Sequence, residues 1–291
     1  MRRRGFLRLG AAVAAQGALW RGDRKARAAT PASVTLLSAP LQVTGDWGAS
    51  PDAAARTVLL RMREDALAGV ALLSDRQPQR LRVEDHSSGP PHIWLHDDEA
   101  ETAWIVVDIG VRAWSQLAYQ FGHELGHVLC NSWGKGAVLK PPTRWLEEAM
   151  VEAFSLRGLG RLAEHWQHDP PFPGDSAYGA AIGKYRQNAV DKYRNADGQP
   201  IDDVAGWFRS HREALEAANG LGMVEGPGIV AILRELEGDI GCVADLGAVN
   251  RWPQRSTVPI EEYLRLWQTS CREIKAPGRL PPRLRQLFAL S

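Results

Sequence analysis

Near position 111 the spacing of apolar residues along the chain changes. Before it, short apolar clusters separated by polar and Gly-Pro turns predict strands over 34–43, 81–84, 92–96 and 103–109. One helix interrupts them over 52–71, where Val58, Leu59, Met62, Ala66, Leu67 and Val70 recur at helical spacing. Ile105-Val106-Val107 is the most apolar of the strand runs and is expected inside the sheet. Beyond 111 the period becomes helical, with helices expected over 113–130, 144–159, 177–194, 202–219, 228–236 and 260–272. Pro-rich breaks at Pro141-Pro142, Pro170-Pro171-Phe172-Pro173 and Gly226-Pro227-Gly228 punctuate the helices. A small mixed N-terminal sheet followed by a mostly helical part is an α+β arrangement. No internal repeat or low-complexity segment interrupts it.

Composition adds little until the first thirty residues are considered. A hydrophobic fraction of 44% and a charged fraction of 24% are ordinary for a globular protein. The net charge of +1 gives no electrostatic basis for nucleic-acid binding. The start, however, is basic: Arg2-Arg3-Arg4-Gly5-Phe6-Leu7-Arg8, then a mildly apolar run from 9 to 20 and the small-residue stretch Ala26-Arg27-Ala28-Ala29. That order is the layout of an export signal over residues 1–29. Arg3-Arg4-Gly5-Phe6-Leu7-Arg8 resembles a twin-arginine signal, which implies a folded, periplasmic or secreted product without a stable membrane span once the signal is removed. In an oxidising compartment Cys242 and Cys271 are the expected disulfide pair, and Cys130 a buried small hydrophobe.

The candidate chemistry lies on the first helix beyond the change of period. His123-Glu124-Leu125-Gly126-His127 places two imidazoles four residues apart, on one face, where both can reach one metal ion. Zinc accepts two neutral imidazoles, and Glu124 projects from the neighbouring face as the general base toward a metal-bound water. Leu117, Phe121, Leu125, Val128 and Leu129 supply the helix's buried stripe. Three fixed residues are a short motif, so a third ligand is what would distinguish a metal site from an amphipathic helix carrying two histidines.

The next helix opens with Arg144-Trp145-Leu146-Glu147-Glu148-Ala149-Met150-Val151-Glu152. Here the chain resembles the gluzincin peptidases, the thermolysin and aminopeptidase N families. In these a glutamate about twenty residues beyond the second histidine completes a single-zinc site. The resemblance runs from Trp104 to Glu152 and implies a zincin-like catalytic domain over residues 30–291. The sheet, active-site helix and glutamate-ligand helix would occupy 30–160, and a helical subdomain 161–291. Trp-Leu placed two positions before the ligand selects Glu148, with Glu147 as the competing assignment. The thermolysin-like acidic residue four positions later falls on Glu152, expected to orient a ligand histidine.

The resemblance also implies a peptide or protein substrate, pairing along an edge strand over 104–108. Two departures qualify it. At the position of the aminopeptidase tyrosine that stabilises the oxyanion stands Met223, with Glu225 at the neighbouring lysine position. That leaves Tyr178, Tyr185, Tyr193 and His211 as candidates for the role. No Gly-x-Met-Glu-Asn segment is present to hold a free amine, so the sequence supports no exopeptidase action. Trp133, Trp145 and Trp166 fall near the site as groove or core residues, and His165 and His168 are expected at the surface. The resulting expectation is an exported zinc-dependent hydrolase, a metallopeptidase. The alternatives are a non-catalytic zinc-binding scaffold and a zinc amidase acting on a non-peptide bond.

Overall fold

The structure is a computed structural model, and it describes residues 35–47, 52–70, 73–86, 89–109, 113–194, 202–220, 222 and 225–290. The export-signal reading of residues 1–29 and the Met223 position lie outside the described residues. The fold is α+β, with a four-stranded sheet and a mostly helical remainder. Strands β1 (Leu41–Gly45), β2 (Arg80–Asp85) and β4 (Thr102–Val107) run parallel, and β3 (His92–Ile93) pairs antiparallel to β4 at the edge, giving the order β1-β2-β4-β3. Leu81, Val83, Ala103, Ile105 and Val107 alternate onto one fully buried face. On the other face the Arg82 guanidinium lies 3.6 Å over the Trp104 ring.

This order corrects the expected edge strand. β4 is hydrogen-bonded on both sides, so residues 104–108 offer no free edge; the two-residue β3 is the edge instead. The strand expected over 34–43 begins later, because Thr35 to Ala39 close a turn through Ser38 N and Ala39 N bonded to Thr35 O.

The helices are α1 (Asp52–Leu67), α2 (Trp114–Leu129), α3 (Arg144–His168), α4 (Tyr178–Arg194), α5 (Val204–Ala217), α6 (Gly226–Gly238), α7 (Ile240–Asp245), α8 (Ile260–Ile274) and α9 (Leu280–Leu287). Helix α2 is buried on nearly every side, with Leu117, Phe121 and Leu125 at 0% exposure. It ends just past His127, where Asn131 adopts a left-handed conformation (φ 61°) and Ser132 N bonds back to His127 O at 2.9 Å. Asn131 is fixed there by its own amide, which donates to Gly247 O and Val249 O at 3.0 and 2.8 Å.

Helix α3 is the spine: it packs against α1, α2, α4 and α6. It runs past the expected end at 159 to His168, crossing position 160 without a break, and residues 34–291 form one compact unit. The extension explains His165, whose imidazole bridges Asp65 (2.9 Å) and Arg61 (2.9 Å) on α1, tying two helices together. Trp145 and Trp166 are fully buried core residues of α3, and half-buried Trp133 donates to Arg76 O at 3.1 Å. The expected Cys242–Cys271 bridge is not formed; Cys130, Cys242 and Cys271 are all buried free thiols.

The approach of α2 to α3 is set by Gly126. A Cβ at that position would sit 2.8 Å from Val151 Cβ and 3.1 Å from its Cα, so any side chain would push the helices apart. About two turns earlier on α2, Tyr119 O accepts a hydrogen bond from Ser155 Oγ of α3 at 2.7 Å. The two contacts hold the early turns of α3 beside the face of α2 that carries His123 and His127.

Candidate metal centre

His123 and His127 stand one turn apart on α2 with ring centroids 5.1 Å from each other. Glu148, in the second turn of α3, faces both: its Oε2 lies 3.5 Å from His123 Nε2 and 3.4 Å from His127 Nε2. Among the described residues these three are the group whose donor atoms converge as metal ligands would, all within 4.8 Å of one another. The spacing is a direct test of fit. Tetrahedral coordination at about 2.0–2.15 Å from the ion separates ligand atoms by about 3.3–3.5 Å. The two separations from Glu148 Oε2 fall in that interval, and two imidazoles with one carboxylate are a donor set suited to zinc.

Each histidine is backed by a different carboxylate of α3. His123 Nδ1 lies 2.8 Å from Glu152 Oε2, and Glu152 Oε1 accepts a 2.6 Å hydrogen bond from the Tyr119 hydroxyl. His127 Nδ1 lies 2.9 Å from Glu147 Oε1. Glu147 therefore does not compete with Glu148 for the centre. The two side chains leave the helix about 100° apart, so Glu148 reaches the front of the imidazoles while Glu147 reaches behind His127. Asn250, on the segment following α7, completes that side: its amide donates to Glu147 Oε2, to Cys130 O at 3.2 Å and to Ser132 Oγ at 3.1 Å. Glu147, Glu152 and Asn250 are all at 0% exposure, so these partners are what satisfies the two carboxylates and the Asn250 NH2 group.

Burial disfavours charge at every one of these groups, and pairing decides the outcome. For His123 burial opposes protonation, but hydrogen bonds with Glu148 and Glu152 prevail and raise its pKa to about 9. His127 is displaced the same way, by Glu147 and Glu148 against its own desolvation. Glu148 is held far below the carboxylate range by the two histidines despite its burial. A metal ion entering here displaces protons from the imidazoles, so occupancy and pH are linked.

Glu124 lies beside this cluster, and burial pushes its carboxyl up while His123 and His127 pull it down. With His123, His127 and Glu148 it lines a cavity of about 590 Å³. Pro90, Pro91, Ile93 and Leu95, around the edge strand β3, contribute an apolar wall, and Ala137 to Leu139 another. Arg144, at the start of α3, also lines it, with its Nε donating to Glu148 Oε1 at 3.3 Å.

The four oxyanion candidates are placed elsewhere. The Tyr178 hydroxyl lies 3.3 Å from Ser115 N and Oγ, and its ring packs on Trp166. Tyr185 meets Tyr119 edge-on at 5.6 Å, and Tyr193 lies against Tyr119 and Glu152, behind the histidine it would have to face. His211 stacks on Trp207 and bonds Trp207 O on its own helix. Glu225 is fully buried at the entry to α6 and accepts from Gly222 N at 2.9 Å.

Three contributors escape the sequence reading. Tyr119 could have been found, because 119, 123 and 127 share one helical stripe. Arg144 stood in plain view one turn before Glu148, on the same face. Asn250 had no local signal at all; only the fold brings it within reach of Glu147. No family model matches the chain, and neither a curated protein nor a solved structure matches it.

Proposed function

We propose that the chain is a zinc-dependent hydrolase with a zincin-like, gluzincin-type centre, a metallopeptidase exported under the direction of residues 1–29. One observation carries the reading: two histidine Nε2 atoms and a Glu148 oxygen stand at ligand-to-ligand distances in the floor of a cavity, with a second carboxylate, Glu124, beside them. His123, His127 and Glu148 would hold the ion. When bound, zinc would polarise a substrate carbonyl and lower the pKa of a water toward neutrality.

The remaining work falls to the chain's own residues. Glu152 and Glu147 accept the Nδ1 protons of His123 and His127, which fixes each imidazole in the tautomer whose Nε2 lone pair faces the centre. Glu124 takes the proton of the attacking water on its carboxylate and delivers it to the departing nitrogen. The apolar walls exclude water around the bond to be cleaved, which strengthens each electrostatic contact in the cavity.

Metal analysis of the purified protein tests this reading. One zinc per chain is expected, lost in His123→Ala and Glu148→Ala but retained in Glu124→Gln, whose hydrolysis of peptides falls by about 10²–10⁴-fold. Zinc that survives both ligand changes, or full activity in Glu124→Gln, would overturn it.

A further inference from the structure

We propose that Arg144 is a receptor for a substrate carboxylate, so that the cavity takes peptides whose C-terminal carboxylate lies one residue from the bond to be cleaved. The inference rests on the hydrolase reading above and deepens it. Arg144 is the one arginine or lysine among the described residues lining the cavity. Its side chain is 31% exposed, and among the described residues it spends one donor, Nε–H, on Glu148 Oε1. A guanidinium has five N–H groups in a planar fork, and the pair of terminal nitrogens matches a carboxylate bidentately.

Position supplies the substrate's shape. Glu148 alone separates Arg144 from the histidines: Oε1 faces the guanidinium, Oε2 the two Nε2 atoms. In a C-terminal residue the carboxylate carbon is three bonds from the carbonyl carbon of the preceding peptide bond, no more than about 4 Å away. A carboxylate on the free side of Arg144 thus brings that peptide bond to the neighbourhood of the three donors. A side-chain carboxylate is the other source of the same chemistry.

The test is calorimetric binding to zinc-loaded Glu124→Gln, which keeps the three ligands. The probes are a peptide with a free C-terminal acid, its C-terminal amide, and a doubly capped pair differing by Asp against Asn. The free acid is expected to bind about 10–100-fold tighter than the amide. That advantage should shrink to about twofold when Arg144→Gln is added. Arg144→Lys, which keeps the charge beside Glu148 but loses the fork, should lose most of it with zinc retained, and it carries the comparison if Arg144→Gln cannot hold the ion. If the preference appears in the Asp/Asn pair instead, the C-terminal assignment fails. Equal binding of acid and amide, no binding of either, or a preference that outlives both Arg144 variants overturns the proposal while leaving the zinc site standing. Failure of Glu124→Gln and of the unaltered protein to hold zinc would instead bring down the hydrolase reading itself.

Discussion

The two histidines of the centre are one helical turn apart, yet they are supported in different ways. Behind His123 stands Glu152, held by Tyr119, so that this support is built from α2 and α3, with Tyr193 of α4 alongside. Behind His127 stands Glu147, held by Asn250, more than a hundred residues further along the chain. One half of the site is closed by adjacent helices. The other depends on the segment around residue 250 being in place, and Asn131, Thr143 and Ser256 pin that segment to the ends of α2 and α3. Support of His127 thereby depends on the folding of the C-terminal part, whereas support of His123 comes from neighbouring helices.

Removing each carboxylate is the strongest way to break this comparison. Glu147→Ala would leave His127 Nδ1 facing no acceptor in a buried place and take from the Asn250 amide one of its acceptors, at a cost of about 3–5 kcal/mol of stability. Zinc affinity should fall about 10–100-fold as well. Glu152→Ala is expected to cost comparable affinity but less stability, because the Tyr119 hydroxyl it abandons is near the cavity. Chemical denaturation and competitive zinc titration of the two variants measure both quantities. Equal losses of stability would remove the asymmetry.

Asn250 separates the backbone from the amide. It sits at φ 58°, a left-handed conformation that Asn tolerates and Ala does not, so Asn250→Ala should cost about 2–3 kcal/mol. Asn250→Gly recovers the conformational part, about 1 kcal/mol, and not the hydrogen bonds. Both variants should share a weakening of zinc binding of about three- to tenfold, smaller than that of Glu147→Ala. If Asn250→Gly binds zinc as the unaltered chain does, Asn250 supports the fold alone.

What could be read from the sequence divides along the same line. His123, Glu124 and His127 are legible because helical spacing is a local property, and Glu148 and Glu152 because a second helix begins at a readable distance with the pattern Trp-Leu-Glu-Glu. Glu147 was visible as the competing ligand assignment, but its place behind His127 was not, because which imidazole nitrogen it meets depends on how the two helices pack. Asn250 could not be read, since its role exists only after tertiary contact. The sheet order was hidden for a like reason. The apolar runs at 92–96 and 105–107 announce strands, but nothing local says that His92–Ile93 pairs outside β4 and takes the edge position expected of residues 104–108. Helices α7 and α9 escaped because they are short, six and eight residues.

A pH titration of the metal-free protein sharpens the His123 side. Burial alone would lower its pKa, but Glu148 and Glu152 raise it to about 9 from the ordinary 6.5. A group raised on folding contributes stability that is fully present below about pH 6.5 and is lost as pH climbs through about 9. The metal-free protein should therefore melt at falling temperatures across that window. The zinc-loaded protein, whose imidazoles are already neutral, should lack this component. A melting temperature independent of pH in the metal-free form would show that the histidines do not carry the shared protons assigned to them.

The smallest expected effect is at Tyr119, and it is the most discriminating for that reason. Its hydroxyl donates the 2.6 Å hydrogen bond to Glu152 Oε1, while Oε2 continues to hold His123. Tyr119→Phe removes a charge-assisted bond and keeps the ring that packs against Tyr185, so stability should fall by about 1–2 kcal/mol. Zinc affinity should change by no more than about threefold, because the carboxylate that fixes the His123 tautomer stays in place. The matching change on the other side, Asn250→Gly, should weaken zinc more than Tyr119→Phe does. A Tyr119→Phe protein that loses zinc as readily as Glu152→Ala would reverse the comparison. The His123 side would then be the fragile one, with Glu152 depending on its tyrosine as fully as Glu147 depends on Asn250.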